Sequence, residues 1–446
     1  MTRRWRLQDT KSKEAQDLIH QYQLAQDPEH QDQEADIRLL SALGSSIWRF
    51  KTLKSSILAR VTYTGLHKEV NAEYARTVYV RDRMLEEEGG DVPADVGGLN
   101  IQNGAGPATS LYLNPSTPKP IPGPNQALIR VHAFGLNRMD LLQREGRYPA
   151  PPHAPSTLGV EFSGIIESLG PDTDSERFKP GDAVFGLTYG GAYAEYVVCS
   201  LRTLLRKPEG LSHVQAAALP EVWMTATGAL EFVLLAPPRA GHALGSTWDG
   251  DRPLKGKTIL WHAGASAVSI AGAQLAKLAG AEKVFATAGT DEKCRFVEEE
   301  VGVARAFNYR AEDWVAGLLE ATGGKGVDMI VDFVGGSYFQ KNVDVVARDG
   351  RICLLGLLGG AVTPAPVDIG KLLYKRVRIE GSTLRSRDEE YQGKLRDRLE
   401  EYLPRFQSGE LKIIIDTVLP WEDIVKAHQR LESNATKGKI ICTIGE

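Results

Sequence analysis

Three textures of apolar and polar residues succeed one another along the 446-residue chain. Up to about Gly98 the chain is charged and Gln-rich, and Ile47, Phe50, Leu53, Ile57, Leu58 and Val61 recur near helical spacing. This stretch closes on the acidic, glycine-rich run LEEEGGDVPADVGG, so residues 1–98 are expected to form a helical or partly disordered N-terminal extension. Its apolar stripe suits a helix docked on its own domain, or one with a partner-binding or targeting role.

From Leu99 the runs ALIRVHAFGL, LGVEFSGIIESLG, GDAVFGL and YAEYVVC stand between turn residues, the pattern of a compact, mostly β domain. Beyond Pro220 strands and helices alternate: TILWHA, a helix from about Ser266 to Leu278, KVFATAG, a further helix, then DMIVDFVGG, GRICLLGLLGG and RVRIEGS. Such alternation needs crossovers between parallel strands, which makes a doubly wound sheet. A long charged helix around Asp388 to Phe406 and the strands IIIDTVLP and KGKIICTI then return to the first domain. The expected fold class is α/β, with a β domain over 99–225 completed by 385–446, and a parallel-sheet domain over 226–384. The Gly-, Pro- and Asp-rich stretch from Pro237 to Lys257 reads as a surface insertion.

Charge removes several partners. Basic and acidic residues number 53 and 57, a net −4, which gives no long-range field for nucleic acid or an anionic membrane. The four cysteines, Cys199, Cys294, Cys353 and Cys442, are scattered without a C-x-x-C pair. That suits a reducing compartment and argues against a disulfide framework or a cysteine-rich zinc site. A cytoplasmic protein is expected; the acid-free, basic segment from Ile47 to Lys68 would make a mitochondrial presequence if translation began downstream. No apolar run reaches the ~20 residues of a membrane helix.

The candidate chemistry begins at WHAGASAVS, Trp261 to Ser269. A dinucleotide turn needs one small residue for the bend, a second for close approach to pyrophosphate and a third to pack helix on strand. Gly264 meets the first need, while Ala267 and Ser269 stand at the other two places. An anion there would rest on backbone N–H groups and the helix dipole, which need no glycine. Ala267 in helical conformation adds one methyl facing the phosphate; Ser269 adds a hydroxyl that could bond a carbonyl of the preceding turn. The candidates are Gly264, Ala265, Ser266, Ala267 and Val268; an ordinary strand-to-helix turn is the alternative. At the end of the next strand Ala288, Gly289 and Thr290 replace the usual acidic residue, with Lys293 one turn onward. Small residues plus a cation favour NADP over NAD. Asp291 and Glu292 complement the dipole on that reading, and Lys293 as a solvated helix lysine is the alternative.

The motifs FGLNRMDLLQREGRYP, LGVEFSGIIESLG and FKPGDAVFGL, then GGAYAEYV, ALPEVWMTA, HAGAS, TAGTDEK, FNY, DFVGGSYFQKNV, LLGLLGG, STLRSRD and KGKI resemble one family. It is the medium-chain dehydrogenase/reductase superfamily, within it the zinc-independent quinone oxidoreductases related to zeta-crystallin, and most closely the stress-inducible NADPH:quinone reductases. The resemblance runs from about Leu99 to Glu446. It implies a GroES-like β domain clasping a Rossmann domain, NADPH in the cleft, hydride transfer to a quinone or related α,β-unsaturated carbonyl, and a homodimer joined through the Rossmann sheets near LLGLLGG.

Site residues follow from the resemblance. Tyr148 would stand at the cleft mouth as the catalytic hydroxyl, or only as part of the wall. Asn137 and Asp140 would serve the catalytic loop through its geometry or cofactor contact. Thr225 would meet the carboxamide, Tyr309 and Lys439 the adenosine half or a nearby phosphate, and Gly335 and Leu357 the cofactor. Arg385 and Arg387 would sit by the cleft, surface ion pairs being the alternative. Zinc-dependent relatives carry His where Val160 stands and Cys on the loop from Asn137 to Asp140, so no metal is expected and Glu161 becomes structural. None of the nine histidines falls at paired metal spacing. Two other functions stay open: an enoyl-thioester reductase, and a non-catalytic relative whose nucleotide site Ala267 and Ser269 have closed.

Overall fold

A computed structural model describes residues 95–173, 175–235 and 253–445. Residues 1–94 of the expected extension and most of the insertion from Pro237 lie outside the described residues. Fifteen strands are described. In the first lobe β3 (Gln126–Gly135), β4 (Glu161–Leu169), β5 (Ala183–Leu187), β6 (Tyr196–Ser200), β7 (Leu204–Arg206), β14 (Ile415–Pro420) and β15 (Lys439–Thr443) form one sheet in the order β14-β15-β3-β4-β5-β7, with β6 paired to β3. The two C-terminal strands rejoin the first lobe as their sequence suggests.

The described chain opens on β1 (Asp95–Ile101), antiparallel to β2 (Leu111–Pro118), a strand that starts inside the run expected to close the extension. Close packing explains why glycines that read as a linker are a strand. A Cβ on Gly97 would fall 2.9 Å from the Trp421 ring, and one on Gly98 2.7 Å from Thr117 Oγ1. Glu195 N donates to Gly97 O at 2.9 Å, which ties this strand to the lobe.

The second lobe is a six-stranded, wholly parallel sheet of β8 (Thr258–Trp261), β9 (Lys283–Ala288), β10 (Arg305–Asn308), β11 (Val327–Asp332), β12 (Val346–Leu354) and β13 (Arg378–Gly381). Its order, β10-β9-β8-β11-β12-β13, reverses direction between β8 and β11, the switch point where such sheets open a crevice. Ile259, Leu260 and Trp261 are all buried, as a strand covered on both faces requires. The sequence LLGLLGG leaves β12 as a loop, and the sheet edge is β13.

The helices that frame the site are α1 (Arg138–Arg144), α2 (Pro220–Thr227), α3 (Ala267–Leu278), α4 (Asp291–Phe296), α5 (Trp314–Ala321), α6 (Phe339–Val345), α7 (Ile369–Lys375), α8 (Glu389–Gln407) and α9 (Ile424–Glu432). The expected division after residue 225 falls inside α2. That helix is common to both lobes: one apolar core joins Val160, Phe185 and Leu187 of the first to Ile259, Trp261 and Ile270 of the second through Val222, Trp223 and Ala226.

Candidate active site

The nucleotide turn is built at the switch point. Trp261 ends β8, Ala263 takes a left-handed φ of 52°, and Ser266 caps α3 by accepting from Ser269 N at 3.3 Å. A Cβ on Gly264 would fall 2.7 Å from that of Ala286 on the neighbouring strand, so the bend passes too close for any side chain. Ala267 and Val268 supply the first helical N–H groups, which have no carbonyl within their own helix to bond, and both residues are partly exposed.

Ser269 does not crowd this turn. It is buried, and its hydroxyl donates to His262 O at 2.7 Å, beneath the helix rather than beyond its end. Helix-on-strand packing, expected at Ser269, falls instead to Gly272, one turn later: a Cβ there would lie 2.1 Å from the Trp261 ring. The small-residue fingerprint is therefore displaced along α3, and the sequence carried its signal in Gly272 itself.

Beneath the turn a polar network ties the strand ends together. Buried His262 bonds Thr287 Oγ1 through Nδ1 at 2.9 Å and Asn342 Oδ1 through Nε2 at 2.7 Å. Asn342 donates to Asp332 at 2.9 Å, and Asp332 accepts from the backbone of Val334 and Gly335. This holds Gly335 at φ 78°, where its own Cβ would meet Leu357 Cδ2 at 2.8 Å. Gly335 and Leu357 thus meet past the carboxyl ends of β11 and β12, and Gly264 follows β8, the strand paired with β11.

At the end of β9, Thr290 caps α4 by accepting from Lys293 N at 3.2 Å. A Cβ on Gly289 would come 2.7 Å from Tyr309 Oη, so that glycine lets the half-exposed tyrosine lie across the strand end. Lys293 Nζ reaches across to donate to Asn434 O at 2.6 Å. Burial lowers its pKa, Asp416 raises it, and Lys437 and Arg310 lower it again. Arg310 and Lys437 are thus near neighbours of Lys293 that sequence reasoning passed over, since nothing local links positions 293, 310 and 437. Lys437 is also paired with Glu292 at 2.8 Å.

The opposite end of the crevice is a buried polar cluster. Asn137 Nδ2 donates to Glu161 Oε1 at 2.8 Å, its Oδ1 accepts from Lys439 Nζ at 2.6 Å, and Lys439 forms an ion pair with Glu161. Glu161 Oε2 accepts from Glu221 N at 2.9 Å. One expectation changes here. Lys439 does not face the adenosine end, because its ammonium is the partner that makes a buried Glu161 tolerable. Asn137 spends one amide N–H on Glu161 and its Oδ1 on Lys439, which suits the loop-geometry role expected of it.

Asp140 Oδ2 accepts from Asn137 N at 2.7 Å and Tyr193 Oη at 3.0 Å, while Oδ1 has no partner. Burial pushes this carboxyl up to about 6, against the pull of those donors. Tyr193 in turn lies 3.4 Å from His428 Nε2, and His428 Nδ1 lies 3.1 Å from Arg144 Nη1.

Tyr148 is half-buried, with the Arg385 guanidinium 5.4 Å from its ring centre. Burial, then the Glu221 carboxyl, push its phenol above the ordinary value. Arg385 is buried and bonds oxygens that carry no charge, Tyr189 O at 2.8 Å and Gln143 Oε1 at 2.6 Å, so its charge is left to act on the cleft. Arg387 instead stacks on Tyr391, 4.4 Å from the ring centre. Thr225 lies on α2 with its hydroxyl 3.5 Å from Glu221 Oε1.

Family comparisons agree with this architecture. Residues 123–209 match the alcohol dehydrogenase GroES-like domain, and residues 267–401 match the zinc-binding dehydrogenase family. The chain is 30% identical over 338 residues to a quinone oxidoreductase of Homo sapiens, an overlap of 74% of this chain and 93% of the relative. It is 30% identical over 342 residues to quinone oxidoreductase-like protein 2 of Bos taurus, covering 75% and 89%. The structure of an Escherichia coli quinone oxidoreductase complexed with NADPH superposes with a TM-score of 0.65 at 28% identity, over 78% of this chain and 99% of that one. A quinone oxidoreductase from Coxiella burnetii gives 0.63 at 28% identity, over 79% and 100%. With a shared GroES-like sheet, a shared parallel sheet and near full-length coverage of these relatives, the chain belongs to the quinone oxidoreductases of the medium-chain dehydrogenase/reductase superfamily.

Proposed function

We propose that the protein is an NADPH-dependent reductase that transfers a hydride to quinones or related α,β-unsaturated carbonyls without zinc. The observation that carries this reading is the open first turn of α3, with Ser269 turned inward, set at the switch point of the sheet. The amides of Ala267 and Val268 suit a pyrophosphate. Lys293 and Arg310, beside Thr290 and Tyr309, suit a 2′-phosphate and an adenine face. A bound dinucleotide would supply the hydride. The protein's part is to fix its position and to meet charge that develops on the acceptor oxygen, a role that suits Tyr148 and the cationic Arg385 beside it.

The residues do not fit zinc. Val160 is packed in the apolar core, and Lys439 already neutralises Glu161. A degenerate, non-binding site finds no support in a turn whose added side chains leave the helix end open.

Lys293→Ala is expected to weaken NADPH about 10-fold or more while changing NADH little, because only the former carries the 2′-phosphate. Titration of nicotinamide fluorescence with each coenzyme reads this directly; equal losses would mean that the cluster does not read the phosphate.

We further infer a homodimer formed along β13. On α7, which packs on β12 next to this edge strand, Ile369, Leu373 and Tyr374 are each more than 70% exposed, an apolar face that a second copy would cover. Sedimentation should give about twice the chain mass, and Leu373→Glu should give the monomer. A monomeric parent protein would end this inference.

A further inference from the structure

Glu221, the second residue of α2, has a buried carboxyl without an adequate partner. Its Oε2 bonds nothing, and its Oε1 meets the Thr225 hydroxyl at 3.5 Å, the edge of hydrogen-bond range. The charged and titratable groups that face it come from every surrounding element. They are Asp140 on α1, Glu161 on β4, Lys439 on β15, Arg385 beyond β13, and Tyr148 on the loop after α1.

Counting charge decides its state. Three buried carboxyls face two cations, so one carboxyl is neutral at lower cost than charged. Glu161 has Lys439 and two further donors. Asp140 accepts a backbone amide and a phenol. Glu221 has neither, and the proton settles there. Burial, with Glu161 second, holds its carboxyl up at about 8.

We propose that Glu221 is the proton donor of the cleft, its carboxylic acid facing Tyr148 and protonating the oxygen of the reduced acceptor. The proposal rests on the hydride-transfer reading above. A quinone that takes a hydride, two electrons and one proton, from a reduced nicotinamide becomes the hydroquinone monoanion, one proton short. The O–H bond of Glu221 breaks as the hydroquinone O–H bond forms, and the carboxylate regains its proton from solvent once product has left. Tyr148, whose phenol holds its proton more tightly than usual, orients the oxygen, while an acid that titrates near working pH does the transfer.

Glu221→Gln tests this, since the amide keeps the size and neutrality of the protonated acid. In the protein without coenzyme, the infrared band of a protonated carboxyl should disappear as pH rises through about 8, be missing in Glu221→Gln, and persist in Tyr148→Phe. With saturating NADPH and a para-benzoquinone, kcat of the parent should be full at lower pH and fall as pH rises through about 8. Glu221→Gln should lower kcat about 100-fold, with the quinone KM within about threefold, and lose that pH limb. Should the glutamine variant not fold, Glu221→Asp retains an acid and is expected to keep a pH limb at reduced kcat. Wild-type turnover with an unchanged pH profile in Glu221→Gln, or no carboxyl band assignable to Glu221, overturns the proposal. Failure of the parent to bind NADPH would instead overturn the reductase reading, and the infrared result would stand apart from it.

Discussion

Lys439→Met should lower the free energy of unfolding by about 3–5 kcal/mol, measured by urea denaturation, although the change is conservative in volume. The reason lies in what remains. Glu161 is fully buried, and without the ammonium it keeps only the Asn137 amide and the Glu221 N–H as partners. An ion desolvated to that degree costs several kcal/mol unless another charge compensates. Nor can the carboxylate swing away: the pair lies against β3, where a Cβ on Gly135 would fall 2.5 Å from Glu161 Oε1 and 2.8 Å from Lys439 Cε. The double variant Lys439→Met/Glu161→Gln should therefore recover more than half of the loss, since it removes the orphaned charge. Strict additivity of the two single changes would show that the pair is not coupled. Activity should fall with stability, because Asn137, which positions the loop carrying Asp140, loses one of its two anchors.

How much of this was legible in the chain depends on distance along it. Ser266 as the cap of α3 and Asp388 as the cap of α8 were readable because a cap and the apolar period behind it are local. The parallel sheet was readable because alternation of strands and helices admits few topologies. Lys439 was not, for its meaning is set by Glu161 across the first-lobe sheet, and a lysine in KGKI equally suits a phosphate. Gly97 and Gly98 read as a linker since the bulk that excludes their side chains belongs to Trp421 and Thr117. Arg385 could have been a surface arginine; only packing reveals that its partners are a carbonyl and an amide oxygen. Through-space neutralisation and close approach are the two terms that no local pattern contains.

Close approach also gives the other large effect, at Gly272. Gly272→Val should destabilise the protein by about 3 kcal/mol or more, and it should weaken NADPH in proportion as α3 is displaced. The Trp261 ring leaves no room: a Cβ would sit 2.1 Å from Cη2 and 2.2 Å from Cζ2, and the ring is itself buried among Ile259, Ile270 and Leu275. Gly272→Ala should fall between, because alanine returns about 1 kcal/mol of helix propensity against the overlap. The overlap must dominate for valine, which adds two methyls and forfeits that gain. A shorter ring discriminates packing from propensity. In Trp261→Phe the space beneath α3 enlarges, so Gly272→Ala in that background should cost at least about 1 kcal/mol less than in the parent. Equal costs in both backgrounds would mean that α3 tolerates a shift away from β8. The amides of Ala267 and Val268 would then not depend on this contact for their position, and coenzyme affinity would survive the valine.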